Sequence, residues 1–456
     1  MVEGPLFGKI IKFVLPLIAT SILQLLYNAA DIVVVGQFSG ETALAAVGAT
    51  GALITLIFNV FTGLGNGASV CAANAIGAKD DGRVKRYVHT SLVVALIGGI
   101  ITMIAGFFLS KPMLRLMQTP EDVIDLSTLY MKIFFLGAPA NLVFNFVAGL
   151  LRASGDTKKP LYILSLSGIA NVLFNLLFVC VLHMSVDGVA IATIISQYIS
   201  AFLVLRHIMK LDTNLKFIIK DSKIHKKEFL DILRVGLPSG FQGMMFSISN
   251  VMVQSSVNSL GTVVVAGNTA AGNIEGFIWA SMNTLHQAAQ TFTSQNLGAG
   301  KIERTKKVLG SSLVIVTIVG VVMGIAANIF DHQLLSLYAP GKEDVIIAGV
   351  NRLRVVAATY FLCGIMDALS GTLRGLQYSI SQMLISLISV CGLRIIWLST
   401  VFKAEPTALN IYLTYPISWI LATLAFVVCY IVAYKRIKKR QISYTSVTSE
   451  ENTETD

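Results

Sequence analysis

The stretch KFVLPLIATSILQLLYNAADIVVVGQFSG, residues 12–40, decides how this chain is read. From Phe13 to Phe38 it carries a single charged residue, Asp31, in a run long enough to cross roughly 30 Å of hydrocarbon as a helix rising about 1.5 Å per residue. A carboxylate at such a place is costly unless a proton, a cation or a hydrogen-bonding partner offsets it. Asp31 therefore marks either an ion, proton or substrate path, or a structural hydrogen-bonding group.

Composition extends the membrane reading to the whole chain. Of 456 residues 54% are hydrophobic and 13% are charged, against about 25% charged in ordinary soluble domains. Apolar runs predict twelve spans, with rough cores at 10–36, 46–76, 88–110, 126–151, 160–182, 186–208, 232–258, 263–296, 309–330, 346–373, 380–401 and 409–434. Helices satisfy their own backbone in lipid, so the expected fold class is an all-α polytopic membrane protein. No cleavable signal peptide is expected, because no small-residue site follows the first long run. Cys71, Cys180, Cys363, Cys391 and Cys429 all fall in predicted spans without metal-type spacing, and read as small core residues.

The net charge of +10 raises the question of nucleic acid, but its distribution answers otherwise. Of 35 Lys and Arg, 27 fall in termini and turns assigned to one side, whereas Lys111, Arg115, Lys342, Arg352, Arg354 and Lys403 are assigned to the other. Basic residues accumulate in cytoplasmic loops, so both termini are expected in the cytoplasm, and the apolar partner is the lipid bilayer, with no nucleic acid.

The chain is also written twice. Proline recurs in FVLPLI (Pro16) and RVGLPSG (Pro238); the turn NAIGAKDDGR has its counterpart in QNLGAGKIER; and GLLRASGDTKKP in GTLRGLQYSISQ, where Arg152 and Arg374 correspond. All three matches share nearly one offset. The expected organisation is an amino-terminal six-helix lobe (1–210), a cytoplasmic linker (211–231), a pseudo-symmetric carboxy-terminal six-helix lobe (232–440) and a disordered polar tail (441–456). Parallel repeats of this kind build transporters with a central cavity.

These motifs, in this order, together with GLGNGAS, VDGVAIATIISQ and FTSQNLGAG, resemble the multidrug and toxic compound extrusion (MATE) family over residues from about 8 to 435. The resemblance implies secondary antiport in a bacterial cytoplasmic (inner) membrane: Na⁺ or H⁺ enters while a cationic, partly apolar small molecule leaves. It implies a monomer, and a coupling role for Asp31 with bending of the first helix at Pro16; Pro238 is its repeat counterpart. Many members carry an aspartate at the position of Asn175, so this chain departs there. An amide supplies an oxygen but exchanges no proton, and the choice between Na⁺ and H⁺ stays open. The glutamate that some members carry in the seventh helix has no acidic counterpart here, where Phe246 and Ser247 stand.

Hard cations prefer several oxygens. Asn171 and Asn175, spaced i, i+4 in the fifth predicted span, and Thr193 in the sixth are the candidate neutral ligands to join Asp31 in a Na⁺ site. Glu275 and Asp367 are the other acids well inside spans; either lines a substrate cavity or forms a structural pair, Asp367 with Arg394 if their helices meet. Tyr27, Met244, Trp279 and Gln287 are candidate cavity residues, suited to cations through ring faces and adaptable packing. His286 either titrates or makes an interhelical hydrogen bond.

No nucleotide-binding P-loop, HExxH or GxSxG is present, so the chain reads as a transporter driven by an ion gradient, not an enzyme, and it calls for no cofactor. The alternative reading is a lipid-linked precursor flippase, whose pyrophosphate cargo calls for basic cavities.

Overall fold

The computed structural model describes residues 1–117 and 119–453, and these are helical apart from turns and short connections. The first half runs α1 (Leu6–Phe38), α2 (Glu41–Gly77), α3 (Asp81–Leu116), α4 (Glu121–Leu136), α5 (Ala138–Ser154), α6 (Lys158–Asn175) and α7 (Val186–Lys210). The second runs α8 (Lys226–Asn258), α9 (Thr262–Gly298), α10 (Ile302–Ile329), the short α11 (Asp331–Ser336), α12 (Glu343–Val355), α13 (Tyr360–Gly375), α14 (Ser379–Ser386), α15 (Leu393–Trp397) and α16 (Ala408–Thr453). π-Helical turns prolong α6 through Val181 and flank α15. α2 and α9, at corresponding places in the two halves, are both 37 residues long. Each is entered through a glycine at positive φ, Gly40 at 86° and Gly261 at 95°, a conformation that a Cβ would strain.

Among the described residues, nine helical stretches are long and apolar enough to cross a membrane, and α4 with α5 makes a tenth if the bent pair is one span. That bend, 49°, falls at Gly137, two residues before Pro139, whose ring removes a backbone donor. The polar α8 and α9 are not among the ten. Large apolar side chains cover the outside, among them Phe108, Ile388, Leu424 and Val428, each more than 60% exposed. Water would penalise such a surface; hydrocarbon accepts it. The chain is an all-α, multi-pass membrane protein.

Two compact units emerge, residues 11–248 and residues 1–10 with 249–456. The division therefore falls inside α8, not in the segment 211–231 expected as a linker. α8 already begins at Lys226, because its first turns are tied to the first unit: Arg86 Nε donates to buried Glu228 at 2.6 Å and Tyr87 Oη donates to Asp231 at 2.7 Å. At its other end α16 continues as helix to Thr453, through most of the segment expected as a disordered tail; no glycine or proline follows Pro416 to stop it. Residues 454–456 lie outside the described residues. Three of the five cysteines are buried, and Cys180 and Cys429 are half-buried; all are free thiols.

Within the first unit α2 and α8 approach until their backbones touch. Gly63 and Gly67 face Gly236 and Gly240, two small-xxx-small patterns in contact: a Cβ at Gly63 would lie 2.2 Å from the Gly240 nitrogen, and one at Gly240 would lie 2.7 Å from the Val60 oxygen. In lipid, where apolar burial does not drive helices together, such close packing does. Gly240→Ala is expected to lower stability by about 1–3 kcal/mol, since the obstacle is backbone and cannot swing aside. Gly310→Ala, where no atom lies within 4 Å of the added methyl, should be neutral or slightly stabilising. Thermal unfolding midpoints of the two variants in one detergent check this; equal midpoints would refute the packing account.

Candidate functional site

The first unit encloses a polar cavity of about 270 Å³. Helical spacing builds it. Gln24, Tyr27, Asn28 and Asp31 fall at i, i+3, i+4 and i+7 on one face of α1; Asn141, Phe144 and Asn145 come from α5; Ser167 and Asn171 from α6; Thr193, Ser196, Gln197 and Ser200 from α7. The anticipated coupling residues meet here. Asn175 Nδ2 donates to Asp31 Oδ1 at 2.5 Å and to Asn171 Oδ1 at 3.3 Å, while Asn171 Nδ2 reaches Thr193 Oγ1 at 3.5 Å. Thr193 Oγ1 in turn donates to the Val189 carbonyl at 2.9 Å.

The direction of these bonds matters. Asn175 donates both ways, to Asp31 and to Asn171, and Asn171 donates onward to Thr193, so the carboxylate receives one side-chain hydrogen bond and no ion pair among the described residues. One neutral donor is little compensation for a charge in hydrocarbon. Asn175 is fully buried, and its Oδ1 has no hydrogen-bond partner; the same holds for Oε1 of Gln197 on the cavity wall. Carboxylate and amide oxygens are the ligand types that a hard monovalent cation takes, and Asp31 with its hydrogen-bonded neighbour Asn175 offers both. Gln24, Asn28, Asn141, Asn145 and Gln197 belong to the cavity although sequence reasoning passed over them. Their signal was present as polar residues at helical spacing facing one another from four spans.

Glu275 and Trp279 line a different cavity, of about 520 Å³, in the second unit, with Asn250, Gln254, Asn268, Asn273, Arg352, Tyr360 and Tyr415. Here the acid is not free. Arg352 donates from Nε to Glu275 Oε1 at 2.8 Å and from Nη2 to Oε2 at 2.7 Å, and its Nη1 donates to Asn268 Oδ1 at 2.5 Å. Arg352, counted in the sequence on the face opposite the basic turns, is 7% exposed, because it is a two-pronged partner for Glu275. Arg394 is likewise buried but does not pair with Asp367. Its Nη1 donates to Asn250 Oδ1 at 3.3 Å, and its guanidinium lies 4.5 Å from the Tyr415 ring centre.

Tyr27 lies in the first cavity; Met244, Gln287 and Asp367 line neither. His286 uses both ring nitrogens, Nδ1 toward the Asp367 carbonyl at 2.8 Å and Nε2 toward Arg374 Nη1 at 3.2 Å. Since arginine only donates, Nε2 accepts and Nδ1 carries the proton. The interhelical hydrogen bond is the role observed. Pro16 and Pro238 sit inside uninterrupted α1 and α8, and Thr20 Oγ1 donates to the Pro16 carbonyl at 2.8 Å.

Comparison with known proteins agrees with this architecture. The chain is 29% identical over 448 residues to the probable multidrug resistance protein YoeA of Bacillus subtilis (strain 168), covering 94% of each chain. It is 27% identical to YpnP of the same organism, also called a probable multidrug resistance protein, over 86% of this chain and 87% of that one. Among solved structures, an outward-facing multidrug resistance MATE family transporter of the MOP superfamily superposes with a TM-score of 0.89 at 22% identity, over 96% of this chain and 98% of that one. The family model MatE matches twice, at residues 16–177 and 238–398, starting in each half at the repeated proline. With most of its length matched in two tandem copies, the chain belongs to the MatE family and is a membrane transporter.

Proposed function

We propose that the protein is a secondary active multidrug antiporter that expels cationic, partly apolar compounds in exchange for Na⁺ or H⁺ by alternating access, as a monomer in a bacterial cytoplasmic membrane. In this reading α8 and α9, too polar to count by hydropathy, complete twelve spans in two six-helix bundles, and the clustered basic turns hold both termini in the cytoplasm. The observation that carries it is Asp31, held by Asn175 in a polar cavity with unpartnered acceptor oxygens. Family membership and the multidrug resistance names of the relatives support the cargo class.

The cycle follows from charge accounting. A cation or proton arriving at Asp31 removes a charge that the surrounding amides compensate poorly, and it re-aims the Asn175 and Asn171 side chains. α1 carries Asp31 and Pro16 on one helix, so the change is passed along α1 at the point where its backbone ladder is weakest. Drug and ion then compete through shared structure, and each is released by the other's arrival. Glu275 takes no part in exchange, because Arg352 engages both of its oxygens.

Ethidium efflux from proteoliposomes under a Na⁺ gradient alone and a pH gradient alone tests the assignment. Wild-type transport is expected under one of them, and Asp31→Asn should abolish it; equal efflux by both proteins would make Asp31 structural, and absence of dye movement by the wild type would turn the search to lipid-linked cargo. Should Na⁺ be the ion, it will raise the thermal midpoint of the wild type over a choline control, and Asn175→Ala will weaken that effect about tenfold by removing both the donor to Asp31 and the free oxygen. The Glu275–Arg352 pair answers to a different measurement. Glu275→Gln or Arg352→Gln alone should destabilise by about 3–5 kcal/mol, and the double variant by less than the sum, because only the singles leave a buried charge unpaired. Additive losses would show that the pair is not coupled.

A further inference from the structure

Between α7 and α8 the chain runs back against the start of α3, and its side chains divide into two sets. One set turns inward. Asn214 Nδ2 donates to Asp81 Oδ1 at 2.7 Å, the Ile218 N–H to His89 Nε2 at 3.3 Å and the His225 N–H to Thr90 Oγ1 at 3.1 Å. Leu215 is buried, and the Phe217 ring centre lies 5.3 Å from that of His89. With Glu228 on Arg86, these contacts fasten the connection at intervals along one helix.

The other set is left outside. Ile219 is 65% exposed, and Ile218, Ile224 and Leu230 are each more than 40% exposed. Lys220, Lys223, Lys226 and Lys227 stand among them, exposed and without an ion pair among the described residues. Most acids of the segment are engaged: Asp212 pairs with Lys216 at 3.5 Å, Glu228 with Arg86, and Asp231 with Tyr87 and, at 3.7 Å, with Arg83. Burial lowers the pKa of His225, which stays neutral near pH 7. Four lysines thus face one exposed carboxylate, Asp221. Single exposed isoleucines are ordinary, but several interleaved with unpaired lysines, on a segment fastened from its inner side, make a surface. Its place is given by its neighbours. α3 and α7 are both among the membrane-crossing stretches, and the connection starts at the end of α7 and packs on the start of α3, where hydrocarbon gives way to headgroups.

We infer that residues 218–227 form a membrane-surface anchor for anionic phospholipid, with Lys220, Lys223, Lys226 and Lys227 on the headgroup phosphates and Ile218, Ile219 and Ile224 among the upper acyl carbons. Lysines and apolar side chains act together at such an interface, the first by attraction to anionic lipid and the second by burial. Lysine stems are themselves apolar and reach outward from the acyl boundary to the phosphate level. The anchor takes no part in ion exchange and rests on the membrane setting alone.

The test places an environment-sensitive nitrobenzoxadiazole dye at Ile219→Cys of the full-length protein, in a Cys180→Ser, Cys429→Ser background because those two thiols are half-buried. The protein is reconstituted one copy per nanodisc, in phosphatidylcholine with and without phosphatidylglycerol. With phosphatidylglycerol present, emission is expected to lie to the blue of the free dye conjugate in buffer and to be quenched by a lipid spin-labelled just below its headgroup. Both effects should fall back when Lys220→Gln, Lys223→Gln, Lys226→Gln and Lys227→Gln are combined, and in about 1 M NaCl, which shortens the screening length to about 3 Å. Water-like, unquenched emission in both kinds of disc overturns the anchor. Equal quenching with and without phosphatidylglycerol, or quenching that the four glutamines leave unchanged, overturns the anionic preference and the role of the lysines. A blue shift seen only in discs holding two copies would give the surface to a second chain, and one produced by glycerol phosphate in phosphatidylcholine discs would give it to a free phosphate; either overturns the inference. Should the fourfold variant fail to fold, the lipid and salt arms decide. The dye reports position and not transport, so failure here leaves the Asp31 reading standing.

Discussion

Hydrocarbon offers no hydrogen bonds, and every feature of this protein answers to that constraint. The backbone closes on itself as helix; the outer surface presents Phe108, Ile388 and Leu424 to lipid; and each polar side chain placed at depth must find a partner from another span. With no hydrophobic force to hold one helix on another, contact distance becomes the source of cohesion. Gly63, Gly67, Gly236 and Gly240 are the outcome, letting α2 and α8 meet backbone to backbone. The same rule makes the exceptions informative: a polar atom left without a partner in such a medium is retained against a standing cost.

The two units handle that cost differently although they descend from one written pattern. In the first, Asp31 is met by the Asn175 amide alone, and acceptor oxygens on Asn175 and Gln197 have no hydrogen-bond partner. In the second, Glu275 is locked by Arg352, while Arg394 rests on the Asn250 amide and the Tyr415 ring. The repeat supplies the helices twice, and its two copies differ in what meets their buried acids.

Much of this was legible before any coordinates. Apolar run length predicts helices because the membrane sets a length, and the recurrence of Pro16 at Pro238 and of Arg152 at Arg374 predicts the duplicated order of elements. Asp31, Asn171, Asn175 and Thr193 were assembled in advance, since i, i+4 spacing places the two amides on one face and an intramembrane acid requires company. The limits of reading were also physical. α8 starts earlier than its composition indicates because Arg86 and Tyr87, about 140 residues away in sequence, capture Glu228 and Asp231. α16 runs on where polarity indicated a tail, because no residue stops it.

By itself, then, the sequence determined what local pattern and solvent determine: the helical class, the membrane setting, the internal repeat and which acids lie at depth. Only the tertiary structure decided how those charges are compensated. In the sequence Arg352 is only a basic residue on the sparsely charged side until α12 brings it to Glu275, and Arg394, one possible partner for Asp367, is found beside Asn250 and Tyr415. Pairing energy falls steeply with distance and depends on donor geometry, and neither quantity is written along a chain whose partners stand 77 and 144 residues apart.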